Sequence, residues 1–124
     1  MRMKSDLVEV LISAVHGKLD QVELQWDRRV ALGVVMAAAG YPTQPRHGDV
    51  ISGLPVDTED TVVLHAGTAL QGEELRTSGG RVLCVTALGE SVKLAQQRAY
   101  KVLAGIHFDG AHYRSDIGHR AIKR

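Results

Sequence analysis

Apolar residues recur at spacings of three and four in two stretches of the chain. After Ser5 and Asp6, both good helix-capping types, Leu7, Val8, Leu11, Ile12, Val15 and Leu19 keep that rhythm, which predicts an amphipathic helix from Asp6 to about His16, closed by Gly17. After Ser91, the stripe Val92, Ala95, Ala99, Val102, Leu103 and Ile106 predicts a second helix, capped by the serine hydroxyl and packed on a sheet. Between the two the pattern is that of strands. Arg29 to Ala38 is β-branched at its centre and stops at Gly40-Tyr41-Pro42, which reads as a buried strand ended by a turn. Further strands are expected at Thr61 to His65, at Thr68 to Leu70 and Glu74 to Thr77 around a Gln71-Gly72 turn, and at Arg81 to Ala87, the segment richest in strand-forming residues.

The remaining segments are punctuated rather than periodic. Residues 43 to 58 hold Pro45, Gly48, Gly53 and Pro55 and read as an ordered loop with at most a short strand around Val50-Ile51. Lys18 to Asp27 is a polar linker with room for one short extra turn, placing a boundary near Trp26. The tail from His107 to Arg124 has too little periodicity to settle helix or strand. A run of strands followed by one long helix points to an α+β unit. The first helix stands apart from it, as the end of one domain joined to the whole of another would, and the chain reads as a piece cut from something longer.

Composition narrows the function classes. The chain has 124 residues, enough for one domain, with 15 Lys+Arg against 14 Asp+Glu and a net charge of +1. Such a balance supplies no general field for nucleic acid or an anionic membrane. One Phe, one Trp and three Tyr leave little from which to build base-stacking platforms. No apolar run approaches the roughly eighteen residues needed to span a bilayer. The lone Cys84, among Val82, Leu83 and Val85, reads as a small buried apolar residue in a reducing, cytoplasmic setting.

Candidate chemistry concentrates in Thr77-Ser78-Gly79-Gly80-Arg81. Two glycines permit positive φ and let a backbone approach a ligand closely, so that N–H groups, the Thr77 and Ser78 hydroxyls and the Arg81 guanidinium could converge on a phosphate. The alternative is a tight inter-strand turn with an exposed arginine. The six histidines form no metal-ligand motif, and His65, inside an apolar strand, reads as a hydrogen-bonded core or cleft residue. No serine sits in a nucleophile elbow. Arg28-Arg29 and Arg46-His47 read as small solvated basic spots. The residues alone therefore point to an α+β module with one candidate phosphate-binding turn and no catalytic or metal residue.

Leu32-Gly33-Val34-Val35, Gly40-Tyr41-Pro42, Gly48 to Leu54, His65 to Thr68, Thr77 to Ala87, Ala95 to Tyr100 and Tyr113 to Gly118 resemble, in order and spacing, the C-terminal region of phosphoribosylamine–glycine ligases, which are ATP-grasp enzymes. Pro45, His47 and His119 depart from that family's pattern. The resemblance implies a division into residues 1–24, the terminal helix of an ATP-grasp domain with its linker, and residues 25–124, the C-terminal domain. It implies an antiparallel, barrel-like sheet with a packed helix, forming one wall of an active site that joins glycine to 5-phosphoribosylamine in purine biosynthesis. By the same resemblance Ser78, Gly79, Gly80 and Arg81 would bind the substrate phosphate and His65 would be a cleft residue. ATP and Mg2+ would be held by N-terminal and ATP-grasp domains that this chain lacks, so the chain alone would bind neither and be inactive. A free-standing phosphate- or nucleotide-binding module, without ligase activity, is the alternative.

Overall fold

The computed structural model of the chain describes residues 1–122. Its centre is a three-stranded antiparallel sheet formed by β1 (Val30–Ala37), β2 (Thr61–His65) and β5 (Arg81–Gly89), in the order β1-β5-β2. β3 (Thr68–Gln71) and β4 (Glu74–Thr77) form a separate hairpin. The register sets Val34 opposite Val85 and Val85 opposite Val63. Side chains alternate across a strand, so Leu32, Val34 and Met36 share one face with Leu83, Val85 and Ala87. All six are buried.

Helix α2 (Val92–Leu103) covers that face with Ala95, Ala99 and Leu103, each buried, and Ser91 caps it by accepting the Leu94 N–H at 3.2 Å. The small alanines let the helix lie close to the sheet. Gly89 makes the same economy at the corner between β5 and α2, where a Cβ would come within 2.5 Å of the Ala95 nitrogen. The stripe continues past the helix into Ile106 and Phe108, which close the core.

The expected strands and the second helix are in place, within a residue or two. The barrel is not. Past His65 the chain stays with β5, Ala66 donating to the Val82 carbonyl and Gly67 to that of Arg81. The β3–β4 hairpin forms a two-stranded sheet of its own and does not close the three-stranded one. The short strand expected around Val50 is a bridge between Val50 and Arg76, and Ile51 donates to the Leu75 carbonyl at 2.8 Å. The unassigned tail is pinned by bridges of His107 to Ser52 and His112 to Ala37, and ends in a short α3 (His119–Ile122). Cys84 is half-buried on the sheet face away from α2, beside Thr86, rather than in the core.

The N-terminal segment is built differently. Helix α1 (Leu7–Val15) is capped by the Asp6 carboxylate, which accepts the Val8 N–H at 2.7 Å, and none of its residues is buried. Residues on either side of it pair with each other: Lys4 donates to the Gln25 carbonyl, Asp27 to that of Arg2, and Met3 bridges Trp26. Asp27 is buried and holds the Arg29 guanidinium at 2.7 Å, and Arg29 reaches on to Asp60 at 2.6 Å. The hydrogen bonds from Arg29 keep the Asp27 carboxyl well below the usual carboxylate range. No helix among the described residues is long and apolar enough to cross a membrane.

Candidate functional site

The turn Ser78-Gly79-Gly80 joins β4 to β5 and lies against the corner that follows β2. Ser78 donates to the Gly67 carbonyl and Gly67 to the Arg81 carbonyl, both at 2.8 Å. This double clasp brings two backbones into contact, and a Cβ on Gly67 would stand 2.6 Å from the Gly79 Cα. Gly80 has a different neighbour: a Cβ there would meet the Tyr41 ring at 2.6 Å. Neither Gly79 nor Gly80 has a positive φ. The glycine pair therefore serves close approach, and the left-handed backbone expected from the sequence is not used. Among the described residues neither the Gly79 nor the Gly80 N–H has a protein acceptor.

Thr77 does not join the turn's chemistry. Its side chain is buried, and Oγ1 accepts the Asp49 N–H at 3.1 Å, while its own N–H and carbonyl bond to Asp49 and Gly48. A strand residue on the inward side of β4 is spent on holding the 48–49 loop.

Tyr41 is delivered by the loop after β1. Gly40, at φ +78°, turns the chain back, Gln44 and Arg46 donate to the Gly40 and Ala39 carbonyls, and Tyr41 donates to Ala38. The Tyr41-Pro42 bond is cis. Arg46 anchors the loop between Asp49, at 2.9 Å, and Asp109, and its hydrogen bonds to these carboxylates raise its pKa. The basic spot seen in the sequence at Arg46 is thus a structural ion pair. The half-buried Tyr41 ring also faces His112, the two centroids 6.4 Å apart.

Tyr41, Pro42, Pro45, Ala66, Gly80 and Arg81 line a depression of about 410 Å3. Other surface depressions of 330 to 560 Å3 match it in size. Its lining sets it apart, with one cation and no carboxylate, whereas the others include Asp or Glu side chains. Arg29, Arg46, Arg76, Arg98 and Arg114 are all in ion pairs. Among the described residues, the exposed Arg81 side chain has only the Tyr41 hydroxyl, to which Nη1 donates at 3.3 Å. A guanidinium with free N–H groups, held over an apolar floor, can accept a phosphate or carboxylate in bidentate fashion.

Of the sequence candidates, Gly80 and Arg81 line the depression, while Ser78 and Gly79 adjoin it without lining it. His65 is exposed at the end of β2 with Nδ1 3.1 Å from Thr68 Oγ1, beside Ala66 but outside the lining. Tyr41, Pro42 and Pro45, which line the depression, are not among the sequence candidates. Their signal was present as Gly40-Tyr41-Pro42, but a turn tripeptide does not say what its aromatic ring will touch. Among the described residues no group of three or more His, Cys, Asp or Glu side chains gathers as a metal site. The lining of the depression, which holds no carboxylate, does not fit Mg2+.

Residues 31–120 match the family described as phosphoribosylglycinamide synthetase, C domain. The chain belongs to that family. It is 63% identical over 123 residues to a phosphoribosylamine–glycine ligase of Ralstonia nicotianae and 58% identical over 126 residues to that of Escherichia coli O157:H7. These alignments take in 99% and 100% of this chain but 29% of either relative. The crystal structure of the Thermotoga maritima phosphoribosylamine–glycine ligase superposes with a TM-score of 0.69 at 36% identity, over 88% of this chain and 27% of that one.

Proposed function

We propose that the chain acts as the C-terminal domain of a phosphoribosylamine–glycine ligase, the cytoplasmic enzyme that joins glycine to 5-phosphoribosylamine at the expense of ATP in purine biosynthesis. In this reading residues 25–124 form one wall of the active site, and residues 1–24 belong to the ATP-grasp domain. Arg81 carries the wall's chemistry. It is a cation without a carboxylate partner among the described residues, in a depression that offers an anion no repulsion, and the substrate's one strong anion is its 5-phosphate. The N–H groups of Gly79 and Gly80 and the Ser78 hydroxyl stand nearby to take further phosphate oxygens. ATP and Mg2+ would be held by the portion of the ligase beyond this chain, so the chain alone makes no product.

Arg81→Ala in the complete ligase tests this. A charge-assisted hydrogen bond to phosphate is worth about 1.5–3 kcal/mol, and about 1.4 kcal/mol is tenfold. The KM for phosphoribosylamine is therefore expected to rise about ten- to a hundredfold, with the KM values for ATP and glycine nearly unchanged. Arg81→Lys should recover part of the loss, keeping the charge without the planar fork. An unchanged phosphoribosylamine dependence in Arg81→Ala would overturn the reading.

A further inference from the structure

We propose that Tyr41 is a second phosphate-binding residue, its hydroxyl acting as a unit with the Arg81 guanidinium to hold the substrate phosphate. The proposal rests on the reading of Arg81 given above and adds a residue to it. Three observations carry it. The Tyr41 hydroxyl already accepts an N–H from Arg81 at 3.3 Å, and among the described residues no acceptor takes its own proton. A phenol hydroxyl both donates and accepts, so that proton is free for a third group that lies beside the guanidinium. The ring is held in place, since Gly80 leaves room for it where a Cβ would stand 2.6 Å from Cδ2.

The third observation is the character of the lining. Besides Tyr41 and Arg81 it contains Pro42, Pro45, Ala66 and Gly80, whose side chains neither donate nor accept. The side-chain groups free to donate to a ligand here are the Arg81 N–H groups and the Tyr41 O–H. Donors of this kind suit a group that only accepts, such as a phosphate oxygen. Arg81 alone would attract any anion; the O–H placed beside it adds a donor for a second oxygen of the same phosphate. The bond between the two also holds the guanidinium over the depression when no phosphate is present, so less freedom is lost on binding.

Tyr41→Phe in the complete ligase keeps the ring on Gly80 and removes only the hydroxyl. The KM for phosphoribosylamine is expected to rise about three- to tenfold, the range of one hydrogen bond, with kcat at saturation and the KM values for ATP and glycine unchanged. In the Arg81→Ala background the same change should cost little, because the two groups act together. A Tyr41→Phe ligase with wild-type phosphoribosylamine kinetics, beside an impaired Arg81→Ala, would overturn the role of Tyr41 and leave that of Arg81 standing. Effects that multiply independently in the double variant, or that fall on kcat and all three substrates alike, would also overturn it. A normal Arg81→Ala would remove both readings at once.

Discussion

Helices α1 and α2 carry similar sequence patterns and meet opposite fates. Both have a good N-cap, Asp6 in one and Ser91 in the other, and both have an apolar stripe at helical spacing. The α2 stripe buries Ala95, Ala99 and Leu103 against the sheet, whereas Leu7, Leu11 and Ile12 of α1 are each more than half exposed and Val15 is 85% exposed. Burial, moreover, goes to the less apolar of the two helices. An amphipathic pattern thus states that a face needs covering and is silent on what covers it. For α2 the cover lies in the same domain, eight residues of β1 and nine of β5. For α1 the described residues bury no part of the stripe fully.

The contrast can be broken most sharply by truncating one residue on each face. Leu103→Ala, at a position 1% exposed, is expected to cost about 2–5 kcal/mol of global stability through a cavity in a tight core, whereas Leu11→Ala should stay within about 0.5 kcal/mol. Urea denaturation of the two variants beside the parent decides it. A large loss from Leu11→Ala would mean that α1 does cover part of this core in solution.

The caps sharpen the comparison at a smaller scale. Ser91→Ala removes the acceptor of the Leu94 N–H and should lower the global melting stability by about 1 kcal/mol. Asp6→Ala removes the acceptor of the Val8 N–H and should fray α1 without moving the main transition. Amide exchange along both helices separates local from global opening.

The smallest expected effect is at the junction between the two regions. Asp27 has a depressed folded-state pKa, so its contribution to stability is complete above its ordinary value of 3.8 and is lost as pH falls from there toward the lower folded value. Acid should first loosen the Arg2–Asp27–Arg29 contacts, and the only tryptophan, Trp26, sits beside them. A change in Trp26 fluorescence between about pH 4 and pH 2, ahead of the loss of strand signal, is the expected result. Coincident transitions would join the two regions into one cooperative unit.

What could be read from the sequence follows the range of the interactions involved. The α2 stripe, the strands around Val34, Val63 and Val85, and both caps are local or periodic signals, and they placed most of the fold. The turn at Gly79-Gly80-Arg81 was legible as a candidate because its residue types are unusual together. The contact of Tyr41 with Gly80, the inward Thr77 and the bridges that pin His107 and His112 join residues far apart in sequence, and no spacing rule reports them. The open sheet was missed for the same reason. Whether a strand run closes depends on where the chain turns at Ala66-Gly67, a position whose meaning comes from Arg81 and Val82 across the sheet.

The strand order β1-β5-β2 also has a consequence in time. The two edge strands come first in the chain and are not neighbours in the sheet; within it each pairs with β5. As the polypeptide leaves the ribosome, everything through Gly80 emerges with both edges of the sheet made and nothing to bind them. The middle strand then arrives, followed within three residues by α2 to cover the same face. Sheet, helix and the Arg81 end of the pocket therefore have to assemble together, late in synthesis and over long loops, which makes β5 the step on which the rest of the fold waits.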